Sequence, residues 1–178
     1  MRRSVLIATA ILAVALPSAA QAQNPVELGV DGVVAYTLTS PHVSTVAIPV
    51  QRLRVGFFIS PRVSIEPFGA LTHFSENGNS NTNVTLGVGG LYQFGGGRGA
   101  PQPYVRPFAE LAHRSFADKS LSGGASEAAL GAGVGLMIPA STQFAWRFEG
   151  TLTQVLEHDS LNGGTMLSGF FGLSFFIH

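Results

Sequence analysis

Apolar and polar residues alternate along most of the chain after residue 25, with the period of two that places successive side chains on opposite faces of a β-strand. Turn-forming residues separate eight such segments, each of about ten residues or slightly more. The pattern therefore predicts an all-β protein with eight strands. These strands are predicted at 26–38, 50–59, 62–74, 83–94, 104–114, 126–138, 143–153 and from 167 to the end of the chain.

One hairpin pattern occurs twice. SIEPFGALTHF at 64–74 and YVRPFAELAHR at 104–114 share the spacing Pro-Phe-x-x-Leu-x-His, and LGVGGL at 86–91 is echoed by LGAGVGL at 130–136. Repeated hairpins build an up-and-down antiparallel sheet that closes on itself as a barrel. Since proline cannot donate a hydrogen bond to a ladder, we expect a bulge or kink at Pro67 and at Pro107.

Charged residues within the strands keep to one face. Five are arginines and none is lysine, and arginine suits buried, bidentate pairing with carboxylates. The sequence therefore predicts an inverted, transmembrane barrel with a side-chain-filled lumen, whereas a soluble periplasmic barrel with an apolar interior is the alternative. The predicted lumen charges are Glu27, Asp31, Arg52, Arg54, Glu66, Arg106, Glu110, Arg114, Glu127, Arg147 and Glu149.

Aromatic residues gather at one end of the predicted strands. Membrane barrels have short periplasmic turns and longer external loops, so the turns at 60–61 and 139–142, with the glycine-rich 95–102, are predicted to be periplasmic. An aromatic girdle is expected at that interface. Its predicted members are Phe57, Tyr92, Phe94, Phe144, Trp146 and Phe175, with Ile177 beside them.

Residues 1–22 have the features of a secretory signal peptide. Arg2 and Arg3 precede an apolar run, and Ala20-Gln21-Ala22 is a small-residue cleavage site. We expect a single outer-membrane barrel domain at 23–178. The chain has no cysteine, which excludes disulfides and thiol catalysis, and the eight basic residues that remain form no cluster of the kind that binds nucleic acid.

Two stretches resemble a known family. RVGFFISPRVSIEPFG, from Arg54 to Gly69, and the terminal SGFFGLSFFIH resemble the small eight-stranded barrels of the outer membrane protein β-barrel domain family, in its OmpX-like and OmpA-like class. The resemblance implies a monomer in the cell outer membrane that contacts lipid and lipopolysaccharide and is inserted by the barrel-assembly machinery. Members usually end on Phe or Trp, whereas this chain ends on His178. The family includes structural proteins, adhesins and a few enzymes, so membership alone assigns no activity.

His73 and Ser75 are the candidate catalytic pair. Two apart on one strand, they share a face, and this resembles the His-x-Ser arrangement of the lipid A 3-O-deacylases, in which an imidazole activates a hydroxyl. His113 and Ser115 repeat the spacing, which favours an interfacial role for the imidazoles. The sequence thus favours a non-enzymatic structural or surface-interaction barrel acting through its external loops, with a lipid A esterase as the alternative. No cofactor or metal site is expected.

Overall fold

Eight antiparallel strands form a closed barrel in the computed structural model, which describes residues 25–38, 44–76, 79–95, 99–117, 122–156 and 164–177. Within these ranges, side chains are not described at 44–51, 74–79 and 117. The predicted eight-stranded antiparallel barrel is confirmed. Its strands are β1 Val26–Thr37, β2 Ser44–Ser60, β3 Val63–Glu76, β4 Asn79–Gln93, β5 Gln102–Ala117, β6 Ser122–Pro139, β7 Phe144–Val155 and β8 Thr165–Ile177.

The barrel has two distinct ends. The end at which β1 begins and β8 finishes also carries the connections 61–62, 94–101 and 140–143, and we call it the turn end. Gly95 and Gly99, both with positive φ, lie in the middle one of these connections, where a side chain would strain the backbone. The opposite end, where β3 meets β4 and β5 meets β6, is called the loop end.

The strands are staggered by ten residues around the barrel. A path of directly opposed residues leaves β1 at Val26 and returns to β1 at Tyr36. Such a stagger tilts the strands against the barrel axis, by about 35–45° in barrels of this size. The path runs through Phe57, Ile65, Gly90, Pro107, Ala132, Leu152 and Leu167. The step from Gly90 to Pro107 lies in a gap of the β4–β5 ladder and follows the register of the pairs on either side.

At the loop end the strands extend further than predicted. The stretch SENGNSN was expected to be a loop, but β3 continues to Glu76 and β4 begins at Asn79. Likewise β2 begins at Ser44 rather than near residue 50. Between β3 and β4 both faces become polar, so the alternation ends although backbone pairing continues. In β2 the reason differs, because residues 46–50 form a continuous apolar run in which no polar residue marks the second face.

Both prolines lie in strands without a local register shift, which corrects the expected bulge or kink. Pro67 is opposite Val88 of β4, and Pro107 is opposite Ala132 of β6. On their other sides, the β2–β3 and β4–β5 pairings are interrupted and resume in the same register. Each proline thus lies in a gap of one ladder, where a missing N–H costs little.

Apolar side chains cover the outside of the barrel. Leu71, Leu86 and Leu111 are each about two-thirds exposed, in the outward phase of β3, β4 and β5. The charged phase of the same strands is buried inside, with Glu66 and Arg106 at 0% and 1% exposure. Among the described residues, no helix is long and apolar enough to span a membrane. The barrel is inverted relative to a soluble one, as the distribution of charge predicted.

Candidate functional sites in the lumen and on the outer face

Four charged residues from β1 and β2 meet in the lumen. The Nε of Arg52 donates to Asp31 Oδ2 at 3.0 Å, and the Nε of Arg54 donates to the same atom at 3.1 Å. Arg54 also forms an ion pair with Glu27, and its Nη2 donates to Ser174 Oγ of β8 at 2.8 Å. The side chains of β1 and β2 are thereby tied to each other and to the last strand.

Four further charges, from β3, β5 and β7, complete the cluster. The two Nη atoms of Arg147 donate to the two carboxylate oxygens of Glu66 at 2.9 Å each, which is a bidentate pair. Arg147 also donates to Glu149 at 3.0 Å, and Arg106 forms an ion pair with Glu149. Tyr104 donates to Glu149 at 2.9 Å and accepts from Arg147 at 2.8 Å.

The buried charges balance. Four carboxylates and four guanidiniums are each no more than 5% exposed, and Arg147 is 3.4 Å from Glu27, which joins the two halves. Burying unpaired charges would cost several kcal/mol each, and this arrangement leaves every one with a partner of opposite sign. We call this set the lumen network: Glu27, Asp31, Arg52, Arg54, Glu66, Arg106, Arg147 and Glu149.

Three predicted lumen charges lie outside this network. Glu110 and Glu127 are in the inward phase but only half-buried, and neither forms an ion pair within the described part of the chain. Arg114 is exposed near the loop end. All three belong to the half of the lumen nearer the loop end, so they face water at the barrel mouth rather than the closed middle.

Glycines on β4 and β6 make room for the large lumen side chains. A Cβ on Gly87 would collide with the ring of Phe68, and one on Gly131 would collide with the ring of Phe108. A Cβ on Gly89 would lie 2.9 Å from Arg106 Nη1. At these positions β4 and β6 therefore contribute space, which is occupied by large side chains of the neighbouring strands.

Apolar side chains cluster inside the barrel near the turn end. Leu91, Tyr104, Met137 and Ala145 are almost completely buried and pack together, with Phe176 against them. Phe176 also lies 6.3 Å from Phe58, between ring centroids. On the other side of the network, the guanidinium of Arg52 lies 3.8 Å from the ring centroid of Phe170.

The predicted girdle residues all lie near the turn end. Tyr92 and Phe94 form an edge-to-face pair at 5.1 Å, and Phe144 and Phe175 are 5.0 Å apart, between ring centroids. Trp146 is 48% exposed on the outer face. Phe57 and Phe175 are half-buried. The barrel thus carries a belt of aromatic side chains on its outer surface near the turn end, of the kind that lies at a membrane interface.

His73 is exposed on the outer face of β3, and its Nδ1 lies 2.8 Å from the hydroxyl of Thr82, directly opposite on β4. No carboxylate within the described side chains contacts this imidazole. Ser75 lies on the same strand, but its side chain is outside the described residues. The described geometry therefore gives His73 a hydroxyl partner on another strand and does not assemble a catalytic triad.

His113 repeats the arrangement on the next hairpin. Its Nδ1 lies 2.9 Å from the hydroxyl of Ser126, directly opposite on β6. A third outward pair follows on β7 and β8, where Thr165 donates to Gln154 at 2.7 Å. Each of these hairpins therefore carries a polar cross-strand pair on its outer face near the loop end.

These polar residues lie at nearly one height. Ser115 is the β5 residue at the register position of His73, and two strands account for a quarter of the ten-residue stagger, or about 2.5 residues. His113 is therefore level with His73, and the same correction places Tyr36 and Gln154 within about two residues of that level. We call Tyr36, His73, His113 and Gln154 the loop-end belt.

Comparison with known proteins gives the family. A model of the outer membrane protein beta-barrel domain matches residues 6–175. The chain belongs to this family. The predicted resemblance is thereby confirmed, and the outer-membrane barrel is the class of protein to which the sequence, the inverted surface and the closed sheet all point. No curated protein matches the sequence significantly.

Solved barrels of the same class share the fold. Neisserial surface protein A aligns with a TM-score of 0.67 at 10% identity, over 86% of this chain and 99% of that one. Ail of Yersinia pestis aligns with a TM-score of 0.55 at 12% identity, over 87% of this chain and 100% of that one. The N-terminal barrel domain of Pseudomonas aeruginosa OprF aligns with a TM-score of 0.55 at 18% identity, over 88% of this chain and 100% of that one. At these identities the likeness is one of fold alone.

Several contributors to these sites were missed by the sequence analysis. Thr82 and Ser126 each lie four residues before the repeated Leu-Gly motif, at Leu86 and Leu130, so the repeat itself marks them. Leu91 and Met137 occupy the inward phase, to which the sequence analysis did not assign them. Within the described residues, no cluster of histidines and carboxylates could hold a metal ion.

Proposed function

We propose that this protein is a sealed structural barrel of the outer membrane, which conducts neither ions nor solutes and presents its loop end to the cell exterior. Any specific role is then exerted at the outer face and the loop end. The observation that carries this proposal is the lumen network. Its members come from five strands, and the hydrogen bond from Arg54 to Ser174 adds β8 as a sixth.

Two layers support a sealed lumen. In the network, carboxylates and guanidiniums at hydrogen-bond distance leave little space for a hydrated ion. Nearer the turn end, the buried cluster of Leu91, Tyr104, Met137 and Ala145 supports closure of the lumen there. An eight-stranded barrel has an interior just wide enough for side chains to fill, and the glycines of β4 and β6 allow those side chains to be large.

Chain lengths beyond the apolar band support the orientation. At the turn end, β2 and β3 pass from Ile59 to Val63, the two outward apolar residues, with only three residues between them. At the loop end, twelve residues separate Leu71 from Val84, and eighteen separate Leu111 from Leu130. Membrane barrels have short periplasmic turns and longer external segments, which favours placing the loop end outside.

Single-channel recording tests the sealed barrel. Refolded protein in planar bilayers should add no discrete conductance at applied voltages of either sign. The same refolded protein should migrate differently on gels when boiled and unboiled, which verifies that folded barrels were present. Reproducible single-channel openings from such a sample would contradict the proposal.

Export through a cleaved signal peptide completes the proposal. We expect cleavage after Ala22, because Ala20-Gln21-Ala22 follows the apolar run. The mature protein would begin at Gln23, three residues before β1. Intact-mass measurement of protein from the outer-membrane fraction checks this, and a mass that retains residues 1–22 would contradict it.

A further inference from the structure

The two histidines of the loop-end belt lie where a membrane interface would cross the barrel. Tyr92 of the aromatic girdle is opposite Val63, ten residues before His73 along β3. Ten strand residues, at about 3.3 Å each and tilted by about 40°, cover about 25 Å of height. The apolar band of an outer-membrane barrel is about 25 Å tall, so girdle and belt lie at its two edges.

Large apolar residues end just below the histidines. Leu71 and Leu111, the most exposed leucines of the described chain at 66% and 67%, each lie two residues before a histidine on the same face. The imidazoles are therefore the first polar groups that a lipid chain meets on leaving the apolar band along β3 or β5. At that height lie the head groups of the surrounding lipid.

The hydroxyl partners occupy Nδ1 of each imidazole and leave Nε2 as the second nitrogen. Thr82 and Ser126 each lie within 2.9 Å of an Nδ1. When the hydroxyl donates to Nδ1, the ring proton resides on Nε2, which is then a neutral donor free to bond outside the protein. An imidazole held in this way offers a hydrogen-bond donor to an anionic oxygen.

The ring of His113 points toward the loop end. A Cβ on Gly124 would lie 3.4 Å from its Cε1 and 3.5 Å from its Nε2. Gly124 precedes Ser126 on β6, on the loop-end side, so the ring extends from Ser126 away from the apolar band. Glycine leaves the space above Nε2 open, and a lipid head group can approach it there.

We propose that His73 and His113 bind the phosphate groups of lipid A in the outer leaflet, each donating from Nε2, with Thr82 and Ser126 as positioning residues. The repeated hairpin then has a function, because it places two imidazoles that donate hydrogen bonds to phosphate side by side at one height. This inference rests on the proposed orientation, since the outer leaflet is the lipid A leaflet. It requires no bond-breaking step and differs in this respect from an esterase.

Solid-state NMR can detect the contact directly. Protein with ¹⁵N-labelled histidine rings is reconstituted in a phosphorus-free galactolipid doped either with diphosphoryl lipid A or with phosphatidylglycerol at equal phosphate. Dephasing of imidazole ¹⁵N by ³¹P should be stronger with lipid A and should be lost in the variant carrying both His73→Gln and His113→Gln. No dephasing with lipid A, or equal dephasing with phosphatidylglycerol, would overturn the proposal.

Two further variants test positioning and separate this inference from the proposed function. Thr82→Val with Ser126→Ala keeps both imidazoles but removes their hydroxyls, so dephasing should fall, whereas Gln154→Ala on β7 should leave it unchanged. Unchanged dephasing in the first variant would contradict the positioning role. Each sample is also checked for a gel shift on boiling. If the gel shift is present but dephasing is absent, only the proposal of lipid A recognition is rejected. If the gel shift is missing, the membrane barrel itself is rejected.

Discussion

At the scale of residues, a few side chains of the lumen network should account for most of the stability that mutations in the lumen remove. Arg147 is the most connected of them, with Glu27, Glu66, Glu149 and Tyr104 all within 3.4 Å. A buried ion pair adds little net stability over an apolar equivalent, but removing one partner leaves the other charged and buried. Loss of Arg147 should therefore cost more than its own interactions contribute.

We predict that Arg147→Ala lowers the free energy of unfolding by about 3–5 kcal/mol, because the buried Glu66 loses its bidentate partner. Urea titration in lipid vesicles, followed by the fluorescence of Trp146, measures the change. The matched control is Arg114→Ala, an exposed arginine in the same inward phase, which should change the value by less than about 0.5 kcal/mol. Equal losses in both variants would argue against the network.

At the scale of strands, the even members β4 and β6 differ in kind from their neighbours. Four of their inward positions, near the middle of the barrel, are glycines that lie beneath large side chains of the odd strands: Gly87 beneath Phe68, Gly89 beneath Arg106, Gly131 beneath Phe108 and Gly135 beneath Tyr104. Large side chains of β3 and β5 can therefore extend across the inner faces of β4 and β6. Glycine here provides space rather than backbone freedom.

Gly87→Ala should therefore destabilise the barrel by about 1–3 kcal/mol, since the new methyl group meets the ring of Phe68 and the carbonyl oxygen of Ala109. Gly90→Ala, on the same strand but facing outward with open space around it, serves as the control. It should be neutral or stabilising by up to about 1 kcal/mol. The unfolding midpoints of the two variants distinguish these outcomes, and a Gly87 variant as stable as the control would contradict the account.

The sequence predicted strand number, strand phase and barrel type because each depends on local alternation. The face on which Glu66 or Arg106 lies follows from the two-residue period of a β-strand. Strand ends were missed where both faces become polar, as between Ser75 and Asn81. Partners such as Ser174 for Glu27 depend on register around the closed barrel, which alternation along one strand does not encode. Thr82 was missed for the same reason.

At the scale of the whole molecule, apolar residues outside and charges inside define a protein whose outer surface requires lipid or detergent around it. A folded barrel of this kind should resist unfolding in detergent until heated, because its ladders close without an edge. We predict that the protein stays in the membrane fraction after a carbonate wash and changes its gel mobility on boiling. Release by carbonate, with identical mobility before and after boiling, would instead favour a soluble periplasmic barrel.

The most direct test of the inverted barrel is a spin-label scan along β5. The chain has no cysteine, so single-cysteine variants from Val105 to Arg114 can each be labelled at one position in bilayers. Collision with oxygen, which concentrates in the lipid interior, should peak at the outward positions Ala109 and Leu111 and fall at Phe108 and Glu110, with a period of two. High accessibility of Ala109 and Leu111 to a water-soluble relaxation agent, without an oxygen maximum, would contradict a membrane barrel.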